Sequence, residues 1–413
     1  MMSLNSSEEK ENMRREQSPL LLVSTTSSAD GGSNLWRRRM FLGTALLTAG
    51  LFLATRKNTT PQKKEKDMRF FEEEVVDEPQ EEAEAARLQQ FEEAAWLYRT
   101  RPKGQFDIFP EGAPGELDPY ADDEADTSSN KRHLKFFRHI TAPSLTPFFA
   151  TTVSTSAPAI IIFPGGGFQV SAYEGEGSLI AERFQKRGVH AFVLKYRVPD
   201  RDQRPGMPAH WAALQDAQRA VTVVRASAPY WGVHPLKIGV CGFSAGGTLS
   251  ALLSTHFRTP FYPAVDYADV VSPRPDFAVM VYPGDLVDSD DPDALTTDLR
   301  RIDGETPPAF LAHAADDQVE TYMNSVTYFS RLVAAGVGPL SQLLIDGTGN
   351  HGFETNTVCT SFGTYLDAYR TRPQLCDWHN NVIDWMNNTL LLFNVDDGCI
   401  PPYCFVEEAP GKT

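Results

Sequence analysis

Residues 237–253 of this 413-residue chain, KIGVCGFSAGGTLSALL, carry its most informative structural pattern. Its first part is an apolar run typical of a buried strand, and residues 245–256 carry the small and apolar side chains of a helix. The G-x-S-x-G turn between them holds Ser244, with glycines on both sides that leave room for a strained serine backbone. A strand that turns directly into a helix is typical of a parallel sheet.

The same alternation continues on both sides of this stretch. Apolar runs predict strands over 159–163, 189–196, 237–241, 277–282, 309–313 and 341–345. Helical periodicity predicts helices over 177–187, 211–226, 245–256, 324–335 and 380–387. We therefore expect an α/β fold in which helices cover both faces of a mostly parallel sheet, with the chemistry at the carboxyl ends of its strands.

The charge of the chain excludes one class of partner. There are 38 Lys and Arg against 54 Asp and Glu, which gives a net charge of −16. Such a surface repels a phosphate backbone, so we expect no nucleic-acid partner. The 41% hydrophobic content is enough for a large core, which excludes a chain that is disordered throughout.

The N-terminal quarter differs from the rest of the chain. Residues 1–39 are rich in Ser, Glu and Asn without apolar periodicity, which predicts a disordered tail. The uncharged run MFLGTALLTAGLFLAT, residues 40–55, is apolar on every side and predicts a transmembrane or signal-anchor segment. A cleaved signal and a core helix are the alternatives. Residues 56–102 are acidic with a helical period, which predicts a solvated helical stalk.

The cysteines indicate a compartment. Cys241 lies in a predicted strand, and the other four form an even set near the C-terminus: Cys359, Cys376, Cys399 and Cys404. Two disulfides among these four, whose pairing the sequence leaves open, would suit an oxidising environment. Basic residues flank both sides of the predicted anchor and do not set its orientation, so the cysteines favour a luminal or extracellular domain.

A serine hydroxyl needs a base before it can act as a nucleophile. In folds of this type an acid and then a histidine follow the serine along the chain. Four histidines follow Ser244, namely His256, His313, His351 and His379. His351 is favoured as the base because it stands on a glycine-flanked loop after the last strand, whereas His313 lies inside an apolar strand.

An acidic residue is expected after one of the preceding strands, where it would orient the imidazole. Asp316 and Asp317 both follow the strand 309–313, and Asp285, a less favoured third candidate, follows the strand 277–282. Strand position alone does not separate Asp316 from Asp317.

A glycine loop, FPGGGF over residues 163–168, follows the first apolar strand. The N–H groups of Gly166 and Gly167, with that of Ala245 at the helix start, can stabilise negative charge on a carbonyl oxygen. A phosphate-binding loop is the alternative, but no Lys-Ser/Thr follows and no G-x-G-x-x-G begins here. No side chains have metal-ligand spacing, so we expect neither a metal nor an organic cofactor.

These motifs together resemble the α/β-hydrolase superfamily, and more narrowly its acetylesterase/lipase-like branch, which includes xylanase-associated esterases related to feruloyl and acetylxylan esterases. The resemblance covers roughly residues 103–395. It is carried by PGGGF (164–168), EGE (174–176), PAHWAALQDA (208–217), GFSAGG (242–247), HAADDQV (313–319) and Asn324-Ser325. In such relatives the acid lies eight residues before the serine of the last motif, which implies Asp317. Residues 396–413 are a Cys-containing tail beyond the resemblance.

The resemblance implies a serine hydrolase that cleaves carboxylic esters through an acyl-enzyme, with short-chain acetyl esters of carbohydrate as substrates. A peptidase or amidase of the same fold and a catalytically silent binding protein are the alternatives. The chain departs from the relatives in a short, Asp-rich stretch over 282–307 and in the missing proline after Val319. Both departures would reshape the pocket.

Overall fold

The computed structural model describes residues 99–116, 134–151, 156–299, 301–354 and 373–390, and the backbone of residues 124–126. All of them belong to one compact unit of the chain, residues 74–413. The predicted N-terminal tail, the anchor, the stalk up to residue 98 and the tail 396–413 lie outside the described residues. None of the helices within the described ranges is long and apolar enough to span a membrane.

One large sheet organises the described part of the chain. Its strands and those of a small hairpin are β1 (Phe106–Asp107), β2 (Glu124–Asp126), β3 (Phe136–Arg138), β4 (Ser144–Phe148), β5 (Ala157–Phe163), β6 (His190–Lys195), β7 (Val233–Phe243), β8 (Phe277–Val281), β9 (Ala309–Ala314) and β10 (Gln342–Asp346). Eight strands pair in the order β1-β4-β6-β5-β7-β8-β9-β10, and β2 pairs with β3. β1 and β4 are antiparallel to their neighbours, and the strands from β6 to β10 are parallel.

Helices cover both faces of this sheet. They are α1 (Leu179–Gln185), α2 (Trp211–Trp231), α3 (Ala245–His256), α4 (Met323–Ala334), α5 (Pro373–Cys376) and α6 (Trp378–Asn388), with a π-helical turn over Glu174–Ser178 and 3-10 turns over Tyr267–Val270, Thr297–Leu299 and Gly338–Leu340. The predicted α/β fold with a mostly parallel sheet is confirmed.

The sequence of β5 shows why the sheet is buried on both sides. Successive side chains of a strand point to opposite faces. Ile160 and Ile162 join the core beneath α1 and α6, whereas Ile161 and Phe163 join the core beneath α2, α3 and α4. Because every position of β5 is buried, the strand is a continuous apolar run without polar alternation.

The prediction for α2 is wrong at its end, whereas that for α3 matches the structure residue for residue. α2 continues five residues beyond the predicted end at Ala226, passes through Pro229 and ends at Trp231, and Gly232, with a φ of 72°, caps the helix. Burial favours this extension: Trp231 stacks on Phe192 with 5.6 Å between ring centroids. That packing offsets the hydrogen bond that a proline cannot donate.

The cysteines divide into two kinds. Cys241 is a free, buried thiol in β7. Cys376, at the end of α5, is disulfide-bonded, and the other three cysteines of the predicted set lie outside the described residues.

The parallel strands position the candidate site. The glycine loop follows β5, Ser244 follows β7, the two candidate aspartates follow β9, and His351 follows β10. Because the carboxyl ends of parallel strands lie at one edge of a sheet, residues far apart in sequence meet there.

Candidate active site

Ser244 occupies a strained turn between β7 and α3. Its φ of 51° and ψ of −120° lie in a region that residues with a side chain rarely adopt. A Cβ at Gly242 would overlap the carbonyl of Gly246, and a Cβ at Gly246 would overlap that of Phe163. The amide of Ser244 donates to the carbonyl of Val281 at 3.0 Å. Both glycines are therefore sterically required, and the turn raises the serine above the end of the sheet.

A chain of hydrogen bonds runs from this serine to an aspartate. The Oγ of Ser244 lies 3.0 Å from Nε2 of His351, and Nδ1 of His351 lies 2.8 Å from Oδ2 of Asp317. The imidazole is 18% exposed, whereas the Asp317 side chain is fully buried. Three residues that are separated by up to 107 positions in sequence thus form one continuous arrangement.

The two adjacent aspartates do different things. Asp317 contacts the imidazole, whereas Oδ1 of Asp316 accepts the amides of Gly349 and Asn350 at 2.6 and 2.7 Å. Asp316 therefore fixes the position of the loop that carries His351. Asp285 is exposed after β8, with a φ of 50°, and the described contacts of the imidazole do not include it.

The environment of Asp317 keeps its carboxyl ionised. Burial alone would raise the pKa, but hydrogen bonds from His313 and His351 and from the amides of Glu320 and Val319 lower it well below the usual range. The two amides donate to Oδ1 at 2.9 and 2.8 Å. An ionised Oδ2 accepts a hydrogen bond from Nδ1 of His351, which leaves Nε2 free to accept the serine proton.

The glycine loop lies against the serine. A Cβ at Gly165 would stand 3.0 Å from the Cβ of Ser244 and 2.6 Å from the carbonyl oxygen of Phe243. The φ of Gly166 is 133° and that of Gly167 is 60°. Among the hydrogen bonds between described residues, none uses the amides of Gly166, Gly167 or Ala245. These three N–H groups can therefore serve as donors to a substrate oxygen.

Glu176, the second glutamate of the EGE motif, supports the glycine loop, a role that the motif alone does not specify. Its Oε2 accepts the amide of Gly165 at 2.8 Å, and its Oε1 accepts the hydroxyl of Tyr282 at 2.9 Å. Burial raises the pKa of Glu176, and these two hydrogen bonds lower it in part. The Tyr282 ring lies 4.9 Å from the His351 ring, so Glu176 connects the glycine loop with the histidine side. A glutamate within a buried turn after a glycine loop is the signal that could have identified it.

Glu354 secures the other end of the histidine loop. It is buried, accepts from Arg183 of α1, and accepts the indole N–H of Trp378 of α6 at 2.6 Å. Burial raises the pKa of Glu354, while the charge of Arg183 and both hydrogen bonds lower it in part. The loop is thus fixed by Asp316 on one side of His351 and by Glu354 on the other.

His313 is not favoured as the base because it lies in an apolar strand, and the structure places it beside Asp317. It is fully buried in β9, with Nε2 at 3.3 Å from Oδ2 of Asp317 and at 3.2 Å from the carbonyl of Glu320. Its Nδ1 lies 2.9 Å from Oγ of Ser325. The HAADDQV and Asn-Ser motifs therefore pack into one cluster around Asp317.

The Asp-rich stretch after β8 closes on itself and contacts the segment that precedes α2. Val287 and Leu295 form a β-bridge, and Asp298 accepts the amide of Ala209 at 3.0 Å, at the start of α2. Within the described ranges, no group of three or more His, Cys, Asp or Glu side chains is arranged to hold a metal ion.

A glycine loop, a strained serine turn and an acid–histidine pair at the carboxyl edge of a mostly parallel sheet define an α/β-hydrolase. Residues 148–267 match the BD-FAE family. The matched residues include the glycine loop and Ser244 but end before Asp317 and His351.

The proteins that are similar to this chain include two curated relatives and one solved structure. An acetylxylan esterase of Xylanibacter ruminicola is 30% identical over 220 residues, which cover 51% of this chain and 42% of that protein. The endo-1,4-beta-xylanase B of Butyrivibrio fibrisolvens is 31% identical over 189 residues, which cover 42% of this chain and 29% of that protein. The chain thus spans less than half the length of these relatives.

The solved structure is an acetyl ester-xyloside bifunctional hydrolase from Caldicellulosiruptor lactoaceticus. It is 27% identical with a TM-score of 0.52, and the match covers 70% of this chain and 97% of that one. These similarities confirm the resemblance drawn from the motifs, because one relative is named an acetylxylan esterase and the solved structure an acetyl ester-xyloside hydrolase.

Proposed function

We propose that this protein is a serine esterase that removes acetyl groups from carbohydrate through an acyl-enzyme. The observation that carries the proposal is the chain of hydrogen bonds from Ser244 through His351 to Asp317. The amides of Gly166, Gly167 and Ala245 donate to no acceptor among the described residues. A nucleophile, a base, an orienting acid and an oxyanion site are the parts that acyl transfer requires.

In the first half of the reaction, His351 accepts the proton of Ser244 as Oγ attacks the ester carbonyl. The new Oγ–C bond places a negative charge on the carbonyl oxygen, which the amides of Gly166, Gly167 and Ala245 stabilise. Asp317 stabilises the imidazolium that forms. The imidazolium then returns the proton to the leaving alkoxide, and the alcohol departs while the acyl group stays on the serine.

In the second half, water takes the place of the alcohol. His351 accepts a proton from water, the hydroxide attacks the acyl carbonyl, and the same three amides stabilise the second oxyanion. The Oγ–C bond breaks, the proton passes from His351 to Ser244, and the acid is released. All proton transfers in both halves pass through side chains of the chain itself.

The substrate class rests on the relatives. The acetylxylan esterase is named for acetyl esters of xylan, the bifunctional hydrolase is named for both acetyl esters and xylosides, and the xylanase is named for xylan. A short acyl group also suits a site whose glycine loop lies against the serine. We therefore propose an acetyl ester of a neutral glycan as the substrate of this protein.

The nucleophile is tested by replacing Ser244→Ala in the full chain, with Ser330→Ala, an exposed serine of α4, as the matched control. Hydrolysis of p-nitrophenyl acetate should fall by a factor on the order of 10⁶ in Ser244→Ala and stay unchanged in Ser330→Ala. A fluorophosphonate should label the wild type and Ser330→Ala only. Equal turnover in Ser244→Ala would refute the assignment.

The substrate is tested by acetate release from acetylated xylan, from other acetylated glycans and from an aminoacyl chromogenic amide. We expect acetate from the glycans and no cleavage of the amide. Faster cleavage of the amide would instead favour a peptidase or amidase, and no reaction with any substrate or with the fluorophosphonate would favour a binding protein.

We also propose that residues 40–55 anchor the protein in a membrane, with the esterase domain in the lumen of the secretory pathway or outside the cell. The apolar run and the C-terminal cysteines support this location. Carbonate extraction should leave the full chain in the membrane fraction, and protease added to sealed vesicles should spare the domain. Release by carbonate would contradict the anchor.

A further inference from the structure

One carboxylate oxygen in the site lies between two histidines. Oδ2 of Asp317 is 2.8 Å from Nδ1 of His351 and 3.3 Å from Nε2 of His313, while Oδ1 accepts two backbone amides. The His351 ring is partly exposed and also contacts Ser244, whereas the His313 ring is buried inside β9. The acid therefore has a second imidazole partner that takes no direct part in the acyl transfer described above.

The surroundings of His313 determine its tautomer. Nε2 faces two acceptors, Oδ2 of Asp317 and the carbonyl of Glu320, so Nε2 carries a proton. Nδ1 can then accept a hydrogen bond from the hydroxyl of Ser325 at 2.9 Å. Every polar atom of the ring has a partner, which holds the ring in one orientation.

We propose that His313 is a positioning residue for the reaction: it shares Oδ2 of Asp317 with His351 and thereby sets how strongly the acid holds the imidazolium. The proposal rests on the esterase function proposed above. A donor at His313 reduces the negative charge that Oδ2 offers to His351, so the protonated form of His351 is stabilised less.

The other charges near His351 come from different elements. Glu176 stands behind the glycine loop, and the Glu320 carboxyl lies beside the loop after β8. Neither of these carboxyl groups hydrogen-bonds to His313 among the described contacts, whereas Asp317 contacts both rings. A change at His313 therefore reaches His351 through Asp317.

Two substitutions and a matched control test this role. His313→Phe keeps a ring of similar size but removes the donor, and His313→Gln keeps an N–H donor at a comparable reach. His190→Phe is the control: His190 is equally buried, in β6, and its ring also makes two hydrogen bonds, with the amide of Ala150 and the carbonyl of Gly232. It has no contact with Asp317 among those described.

In His313→Phe, kcat should fall by roughly 10-fold to 100-fold, with little change in KM, because the Asp317 carboxylate loses a donor that fixes its position against His351. The acid limb of the kcat/KM profile should move up by about one pH unit, since His351 becomes easier to protonate. His313→Gln should restore most of the wild-type kcat and of the wild-type acid limb. His190→Phe should lower the melting temperature and leave the acid limb where it is.

The pKa of His351, measured by NMR titration of its ring, gives the same answer without any substrate. It should rise in His313→Phe, stay near the wild-type value in His313→Gln and be unchanged in His190→Phe. An unchanged His351 titration in a folded His313→Phe protein would overturn the proposal, whatever its kcat. If Ser244→Ala retained activity while this titration still moved, the esterase assignment would fail and the effect of His313 on His351 would remain.

Discussion

The two halves of the candidate site are built in different ways. The serine half, at the ends of β5 and β7, depends on backbone shape: a strained serine and glycines whose Cβ atoms would collide with neighbouring carbonyls. The histidine half, at the ends of β9 and β10, depends on side-chain hydrogen bonds between residues about 34 positions apart. Substitutions should therefore disturb the serine half by steric overlap and the histidine half by the loss of a single bond.

The largest contrast is expected within the histidine half, between Asp317→Asn and Asp316→Asn. An amide at position 317 no longer favours the tautomer with a proton on Nδ1, so kcat should fall by about 10⁴. Asp316→Asn keeps an oxygen for the amides of Gly349 and Asn350, so its loss should be only about tenfold. Steady-state kinetics on p-nitrophenyl acetate measure both.

Equal losses in the two aspartate variants would contradict this division of roles. The melting temperatures of both variants are the control, because a general loss of folding would lower kcat without any specific effect on His351. At low pH the Asp317 variant should also lose less stability than the wild type. Because the pKa of Asp317 is lowered in the folded state, its carboxylate stabilises the fold at pH values above the ordinary pKa of 3.8. This stabilisation is lost as the pH falls toward the folded-state pKa.

In the serine half, Gly166 combines steric overlap with a positive φ. A Cβ there would overlap the carbonyl of Val170, at a φ of 133°, so Gly166→Ala should lower the free energy of unfolding by about 2 to 5 kcal/mol. Gly167→Ala is the matched control, because its Cβ would meet open space and its φ of 60° costs only about 1 to 2 kcal/mol. Denaturant unfolding of both variants measures the difference, and equal values would show that sterics do not govern this loop.

Glu176 links the two halves and should give a pH-dependent effect. Burial raises its folded-state pKa above the ordinary 4.5, so the folded state holds the proton more strongly than the unfolded state. Relative to Glu176→Gln, the wild type should therefore lose stability as pH rises above about 4.5. Melting curves across pH compare the two proteins.

Glu182→Gln serves as the control for Glu176, since Glu182 is exposed on α1 beside Lys186. Its stability should track the wild type at each pH. A constant difference between Glu176→Gln and the wild type at all pH values would mean that Glu176 stays in one protonation state over that range.

These contrasts also explain how much the sequence could predict. Glycines around a serine report backbone shape directly, so the serine turn, the glycine loop and the parallel sheet were predictable from residues 159–167 and 237–253. The separation of Asp316 from Asp317 depends on which side chain faces the imidazole and which faces the loop amides. The two side chains differ in the direction in which they point, and sequence spacing does not show this direction. Only the resemblance favours Asp317.

His313 and Glu176 were missed for a related reason. His313 lies in an apolar strand and Glu176 in a glycine-rich turn, and the partners of both side chains include residues from other parts of the chain. The end of α2 was also mispredicted, because the packing of Trp231 against Phe192 joins residues 39 positions apart. Local patterns identify backbone features, whereas these features depend on tertiary contacts.

The smallest effect is expected at Glu320, whose carboxyl lies beside Gly284 and whose amide donates to Oδ1 of Asp317. Its negative charge should repel anionic substrates. Glu320→Gln should therefore raise kcat/KM for an acetylated uronate by about twofold to fivefold at low salt, with no change for a neutral acetylated glycan. Added salt should reduce the difference.

The pH dependence of this effect identifies its source. Burial and the charge of Asp285 raise the pKa of Glu320, so its carboxyl is neutral at low pH and repels anions only after it ionises. The advantage of Glu320→Gln on the uronate should therefore shrink as pH falls. Glu305→Gln, which changes the same charge on an exposed residue paired with Arg258, should show no such preference. An equal gain in Glu305→Gln would mean that the selectivity comes from the net charge of −16 and not from the position of Glu320.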